Sequence, residues 1–326
     1  MVRAIRSLFT PRSSRGNRSQ PELSEVNDER IYPRVLLIIY NPTIPAQRGR
    51  RLVDVLGWNK PDDLVRQYIE DIDFASYGYC RYEIVDRLEV DAFPTKIDGF
   101  TYSANGYHSA WLARRGFHQP DWADYDRILA DFGVARQVTN SSIDEVWLFA
   151  FPYAGFYESR MAGPGSFWCN APPLDGYDEV GRRFVIMGFN YERGVGEMLE
   201  SYGHRAESIM AHTFRNRRGT DNLWDRFTRH DLSHPGRAEV GNVHFAPNSR
   251  KDYDWGNMEK VPSLCDSWYG YPEIQGAPRM VNCQEWGNGN TRQHHLWWFR
   301  HFPHSAGAEN GVYHNWWRYL VYPGLD

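Results

Sequence analysis

Short apolar runs and amphipathic stretches alternate over the first two-thirds of the chain. PRVLLIIYNP (33–42) is a β-branched and aromatic run closed by Asn41-Pro42, which predicts a buried strand. The next segment, PDDLVRQYIEDIDFASYG, repeats Leu64, Val65, Tyr68, Ile69 and Ile72 at three-to-four spacing behind Pro61, which predicts a helix. YCRYEIVDRLEVDAFP (79–94) reads as a second strand and DYDRILADFGV (124–134) as a short helix stopped near Gly133. EVWLFAFP (145–152) and RRFVIMGFN (182–190) are further strands, and GVGEMLESYGHRAESIMAH (194–212) is an amphipathic helix. Each parallel crossover needs a covering helix, so the alternation predicts an α/β fold with an open, mostly parallel sheet and flanking helices. After Phe214 the periodicity fails. The expectation there is a long aromatic-rich, loop-rich segment, 216–326, packed on a sheet core of 31–215 within one domain.

Composition narrows the class. Among 326 residues, 41% are hydrophobic and 24% charged, which excludes a disordered chain. The longest apolar run, 35–40, falls far short of the ~20 residues of a membrane helix. A net charge of −4, with lysine limited to Lys60, Lys96, Lys251 and Lys260, leaves no binding stripe for nucleic acid. Residues 1–30 open with five arginines and several serines, and they read as a basic disordered tail. A secretory signal is not evident there, which points to the cytoplasm, although an organelle transit peptide has the same composition. The four cysteines form no CxxC. If oxidised, Cys265 and Cys283 would close a single loop.

Candidate chemistry falls in three places. Ligands of parallel sheets bind beyond the carboxyl ends of the strands, where the chain places Asn41, Tyr153, Glu158, Arg160, Asn190, Glu192 and Arg193. Glu158 and Glu192 facing one crevice would make an acid and base pair; pairing with Arg160 and Arg193 is the structural alternative. On the helix 194–212, Glu200 and His204 are four apart and His204 and Glu207 three apart, so they rise from adjacent turns. Carboxylate and imidazole together suit a divalent ion such as zinc, with Glu207 as base; a solvated helix face is the alternative. The tail carries His230, His234, His244, His294, His295, His301, His304 and His314, of which His304 and His314 are the expected further ligands. It also holds eight of the 13 tryptophans, and Trp297 and Trp316 are expected to line a substrate cleft, with rings filling a loop-built core as the alternative.

The spacing His204-Arg-Ala-Glu207 resembles the HxxE of zinc carboxypeptidases, which use a third histidine far downstream. The stretch RRFVIMGFNYERGVGEMLESYGHRAESIM, with GNVHFAPNS and NWWRYL, resembles a family of uncharacterised bacterial proteins from about residue 33 to 321. That resemblance implies one long domain and carries no site. There is no GxGxxG after a strand, no GxxxxGK[ST], no HExxH and no GxSxG. The expected function is a divalent-metal hydrolase acting on a peptide or glycan polymer. The alternatives are a metal-free glycoside hydrolase using the carboxylate pair and a non-catalytic module that recognises a glycan or a protein.

Overall fold

The structure, a computed structural model, describes residues 4–6 and 30–325; the basic tail expected over 1–30 otherwise lies outside the described residues. The described chain forms two compact units. One takes residues 4–6, 33–67 and 82–194, and the other takes 30–32, 68–81 and 195–325.

The first unit is an α/β sheet. Its strands are β1 (Ala4–Arg6), β2 (Arg34–Tyr40), β3 (Glu83–Val90), β4 (Glu145–Ala150), β5 (Ser159–Ala162) and β6 (Phe184–Asn190). They lie in the order β1-β3-β2-β4-β6-β5. The four inner strands are parallel, and the two edge strands run antiparallel to their neighbours. Every residue of β4 is buried, as are six of the seven in β2, because a parallel strand is covered on both faces. The helices are α1 (Pro61–Ala75), whose last eight residues belong to the second unit, α2 (Ala104–Ala113), α3 (Tyr125–Asp131) and α4 (Val134–Thr139). Asp62 and Asp63 occupy the first turn of α1 behind Pro61, where a negative charge favours the helix dipole.

One segment differs from the expectation. The sequence puts Glu158 and Arg160 beyond the carboxyl end of the strand 145–152, in what reads as connecting chain, yet Ser159–Ala162 turns back as the edge strand β5, with Ser159 opposite Met187. Four residues with a polar start are too few to show a period of two.

The second unit is built on α5 (Val195–Thr213) and α6 (Thr291–Arg300), with two small antiparallel pairs. These are β7 (Val261–Ser263) with β8 (Arg279–Val281), and β9 (His304–Glu309) with β10 (Val312–Asn315). Its core is aromatic. Phe227, Trp268, Trp298, Phe302, Trp316 and Trp317 are at most 1% exposed, and Tyr202 of α5 packs on Phe299 at 5.4 Å. Indole N–H groups pin the loops that stand in for regular elements. Trp298 donates to the Gly241 carbonyl at 3.0 Å, Trp286 to Trp255 at 2.8 Å and Trp268 to the Glu239 carboxylate at 3.0 Å. All four cysteines are buried free thiols, so the conditional Cys265–Cys283 bridge is absent. Among the described residues, no helix is long and apolar enough to cross a membrane.

Candidate metal centre

The acidic stripe of α5 is not a solvated face. Side chains of Glu200, His204 and Glu207 are 13%, 16% and 28% exposed, because the loop 241–254 covers them. Local chemistry shapes that loop. Gly241 takes a φ of +86°, and a Cβ there would meet the Phe245 carbonyl oxygen at 2.1 Å. The Asn242 side chain then accepts from the amides of His244 and Phe245, forming a tight turn that presents His244 to the helix.

Three ligand atoms converge. Nε2 of His244 lies 3.1 Å from Nε2 of His204, and Glu200 Oε1 lies 3.6 Å from the first and 4.0 Å from the second. Carboxylates stand behind both rings. Glu207 Oε2 is 3.0 Å from His204 Nδ1 and takes its proton-bearing side, leaving Nε2 as a lone pair aimed at the convergence point. Asp252 Oδ1 stands 3.7 Å from Nδ1 of His244, and its side chain is 64% exposed. Burial works to raise the Glu200 pKa, but the His244 hydrogen bond and the neighbouring His295, His204 and His244 rings hold it below the usual carboxylate value.

Two imidazole nitrogens on one tetrahedral zinc, with bonds of about 2.0–2.1 Å, sit about 3.3–3.4 Å apart. The 3.1 Å separation of the two Nε2 atoms is close to that span. With no cation between them, two Nε2 lone pairs at this distance repel, so a proton on one of the two rings relieves the contact. A metal ion between the two atoms would take that proton's place. Two imidazoles and one carboxylate, each histidine with an acid on its far side, make a group that could hold a metal ion.

Aromatic rings flank the cluster. Tyr253 packs on His244 with centroids 4.4 Å apart and is 54% exposed, while the buried Trp255 stacks on His294 at 4.8 Å and meets His295 edge-on at 5.1 Å.

The other expected site residues lie elsewhere. The side chain that converges with Glu200 and His204 is His244, not the expected His304 or His314. The hairpin β9–β10 takes His304 onto the Tyr77 ring at 4.0 Å, and His314 onto the carbonyl of Ala306 at 3.0 Å. Glu207, the expected base, has both oxygens engaged, Oε1 by the Val243 amide at 3.1 Å and Oε2 by His204 Nδ1 at 3.0 Å. Trp316 is fully buried among Phe214, Trp224, Phe227 and Phe302 and faces no cleft. Trp297 is half-buried against Trp286 and His301.

In the sheet unit, Asn41 is 4% exposed and organises its own loop: it donates to Glu89 at 3.0 Å and accepts from the Val53 amide at 3.2 Å. Asn190 accepts from the Glu192 amide at 2.9 Å, closing the turn after β6. Glu158 accepts from the Asn170 side-chain amide and directly precedes β5, its carbonyl accepting from the Gly188 amide at 3.0 Å. Tyr153 remains 41% exposed, stacked on Phe117 at 3.6 Å.

His244 lies forty residues beyond His204, so no helical spacing connects the two. The available signal was local: Gly241-Asn242, ending two residues before it, is turn chemistry that shapes the approach of His244. Comparison with protein-family models, with curated proteins and with solved structures finds no match to this chain, so the reading of the site rests on its own geometry.

Proposed function

We propose that the chain is a metal-dependent hydrolase whose centre is Glu200, His204 and His244. The observation that carries this reading is the convergence of two histidine Nε2 atoms at 3.1 Å with a carboxylate oxygen 3.6–4.0 Å from them. Three protein ligands with further positions open is the pattern of catalytic zinc, whereas structural zinc is closed by four. Glu200, His204 and His244 would hold a zinc-class ion, which would supply Lewis-acid chemistry there.

The chain's own residues do the rest. Glu207 fixes the tautomer and plane of His204, and Asp252 is the solvent-facing carboxylate on the His244 side. Tyr253 offers an exposed ring beside His244 on which a substrate can stack. An amide or a glycosidic bond of a polymer fits such a centre, and the assay separates them. Zinc-loaded protein is offered fluorogenic peptides and nitrophenyl glycosides, with chelator-treated protein and the variants His204→Ala and His244→Ala as controls. Hydrolysis of one class that disappears in all three controls supports the reading. Retention of the parent's full zinc content by both variants, with the fold intact, overturns it.

A further inference from the structure

A second group of ligating side chains lies in the same unit, away from α5. The chain leaves β7 at Ser263, whose hydroxyl accepts the Cys265 amide at 3.0 Å and starts the helical turns 265–270. His301 is the cap that ends α6. Ligand atoms of Cys265, Asp266 and His301 all lie within 4.8 Å of one another.

The histidine makes this more than a cysteine beside an acid. The His301 residue is 1% exposed, and its Nδ1 lies 2.8 Å from the Trp297 carbonyl, so Nδ1 carries the proton. Nε2 is buried with no hydrogen-bond partner. A buried lone pair left unmatched loses its hydration with nothing in return, so such an atom needs a reason to persist. Burial also pushes the ring's pKa down to about 4, which keeps it neutral and ligand-competent at pH 7.

The remaining geometry agrees. Cys265 Sγ is 3.6 Å from Asp266 Oδ1, and bonds of about 2.3 Å to sulfur and 2.0 Å to oxygen at a tetrahedral angle give about 3.5 Å. Arg279 grips the Asp266 carboxylate at 2.5 and 3.0 Å and is itself held by Glu285 at 2.8 Å, which fixes the acid's orientation. The Asp266 side chain is 51% exposed, so an ion can enter past it. A Cys–His nucleophile pair is the competing reading. Burial, the largest influence on this thiol, drives its pKa up to about 11, which is the wrong direction for a nucleophile.

We propose that Cys265, Asp266 and His301 form a second, thiolate-containing site for a zinc-class divalent ion, tying the 265–270 turns to the end of α6. Binding exchanges the thiol proton for the metal: the S–H bond breaks, the proton goes to solvent, and the sulfur lone pair forms the metal bond. Thiolate with imidazole selects zinc-class ions over calcium or magnesium.

Cobalt(II) provides the test, because only thiolate ligation gives an intense near-ultraviolet sulfur-to-cobalt charge-transfer band, and the Glu200–His204–His244 centre has no sulfur. Full-length protein titrated with cobalt is expected to bind two ions per chain and to show that band. Cys265→Ser abolishes the band and one ion while His204→Ala removes the other ion and keeps the band, so failure at one centre is separable from failure at the other. His301→Gln, which leaves the thiol in place should the serine variant fold poorly, is expected to weaken the band-forming site at least about tenfold. Absence of the band at saturating cobalt, or its survival in Cys265→Ser, overturns the proposal.

Discussion

Glu207 and Val243 are joined by a hydrogen bond of 3.1 Å from the Val243 amide to Oε1, while the other oxygen of the same carboxylate faces His204 Nδ1 at 3.0 Å. One acid thus orients a histidine on the helix and tethers the loop that carries the other. Replacing Glu207 by Gln keeps the shape and removes the charge behind His204. Zinc affinity at the α5 centre is expected to fall about 10–100-fold with the binding stoichiometry unchanged. Competition against a chromogenic chelator measures this, and parent-like affinity would remove Glu207 from the centre.

The inner strands were legible because burial on both faces leaves uninterrupted apolar runs, as in EVWLFA of β4. The stripe Glu200-His204-Glu207 was legible because helical geometry links positions three and four apart. The tail was not. α6 reads TRQHHLWWFR, where tryptophan and histidine do the packing and no aliphatic period marks a face, although Asn290 caps it by accepting from Gln293 at 2.9 Å. Tryptophan next to polar residues looks the same in a cleft and in a loop-built core. Trp316 belongs to the second kind, with rings on several sides in place of solvent.

Trp316 and Trp297 therefore separate by stability. Trp316→Ala empties a fully buried position and is expected to cost about 3–5 kcal/mol. Half-buried Trp297→Ala should cost clearly less. Urea denaturation followed by circular dichroism gives both values, and equal losses would contradict the assignment of Trp316 to the core.

Asp71 and Arg292 form a two-pronged ion pair, with both bonds at 2.8 Å and the Asp71 side chain only 7% exposed. Arg292→Met strands a buried carboxylate. Because Arg292 is itself 38% exposed, the loss is expected at about 2–3 kcal/mol, below that of a fully buried pair. Asp71→Asn combined with Arg292→Met should recover part of it, and a double variant no better than the single one would show that the loss comes from packing.

Buried histidines set the acid limit of the metal-free chain. Burial depresses His295 and His301 to about 4 and lowers His294 as well, against about 6.5 when unfolded. Between those values the unfolded chain binds protons that the native chain does not. Stability is thus full above about pH 6.5 and falls as the pH drops toward 4. Urea midpoints in chelator from pH 7 to pH 5 should decline, and His301→Gln should flatten that slope by about one proton. An unchanged slope in the variant would mean that His301 is protonated in the native chain.

Gly203 lies in the middle of α5, directly before His204, where glycine weakens a helix by roughly 0.5–1 kcal/mol relative to alanine. The compensation is proximity. A Cβ at Gly203 would meet Val243 Cγ2 at 2.6 Å, so the bare backbone is what lets the 241–245 turn close down and bring His244 onto His204. Valine is stiff about χ1 and fully buried here, so it yields by moving its backbone, and His244 is the next residue. Gly203→Ala is therefore expected to improve helix propensity yet weaken zinc binding at this centre about tenfold, a loss of about 1.4 kcal/mol. Trimming the obstacle should restore it: Gly203→Ala with Val243→Ala recovers most of the affinity, while Val243→Ala alone leaves it near the parent's. Calorimetric zinc titration of the four proteins closes the cycle. If the double variant binds as weakly as Gly203→Ala, the glycine acts through the helix itself and not through the approach of Val243.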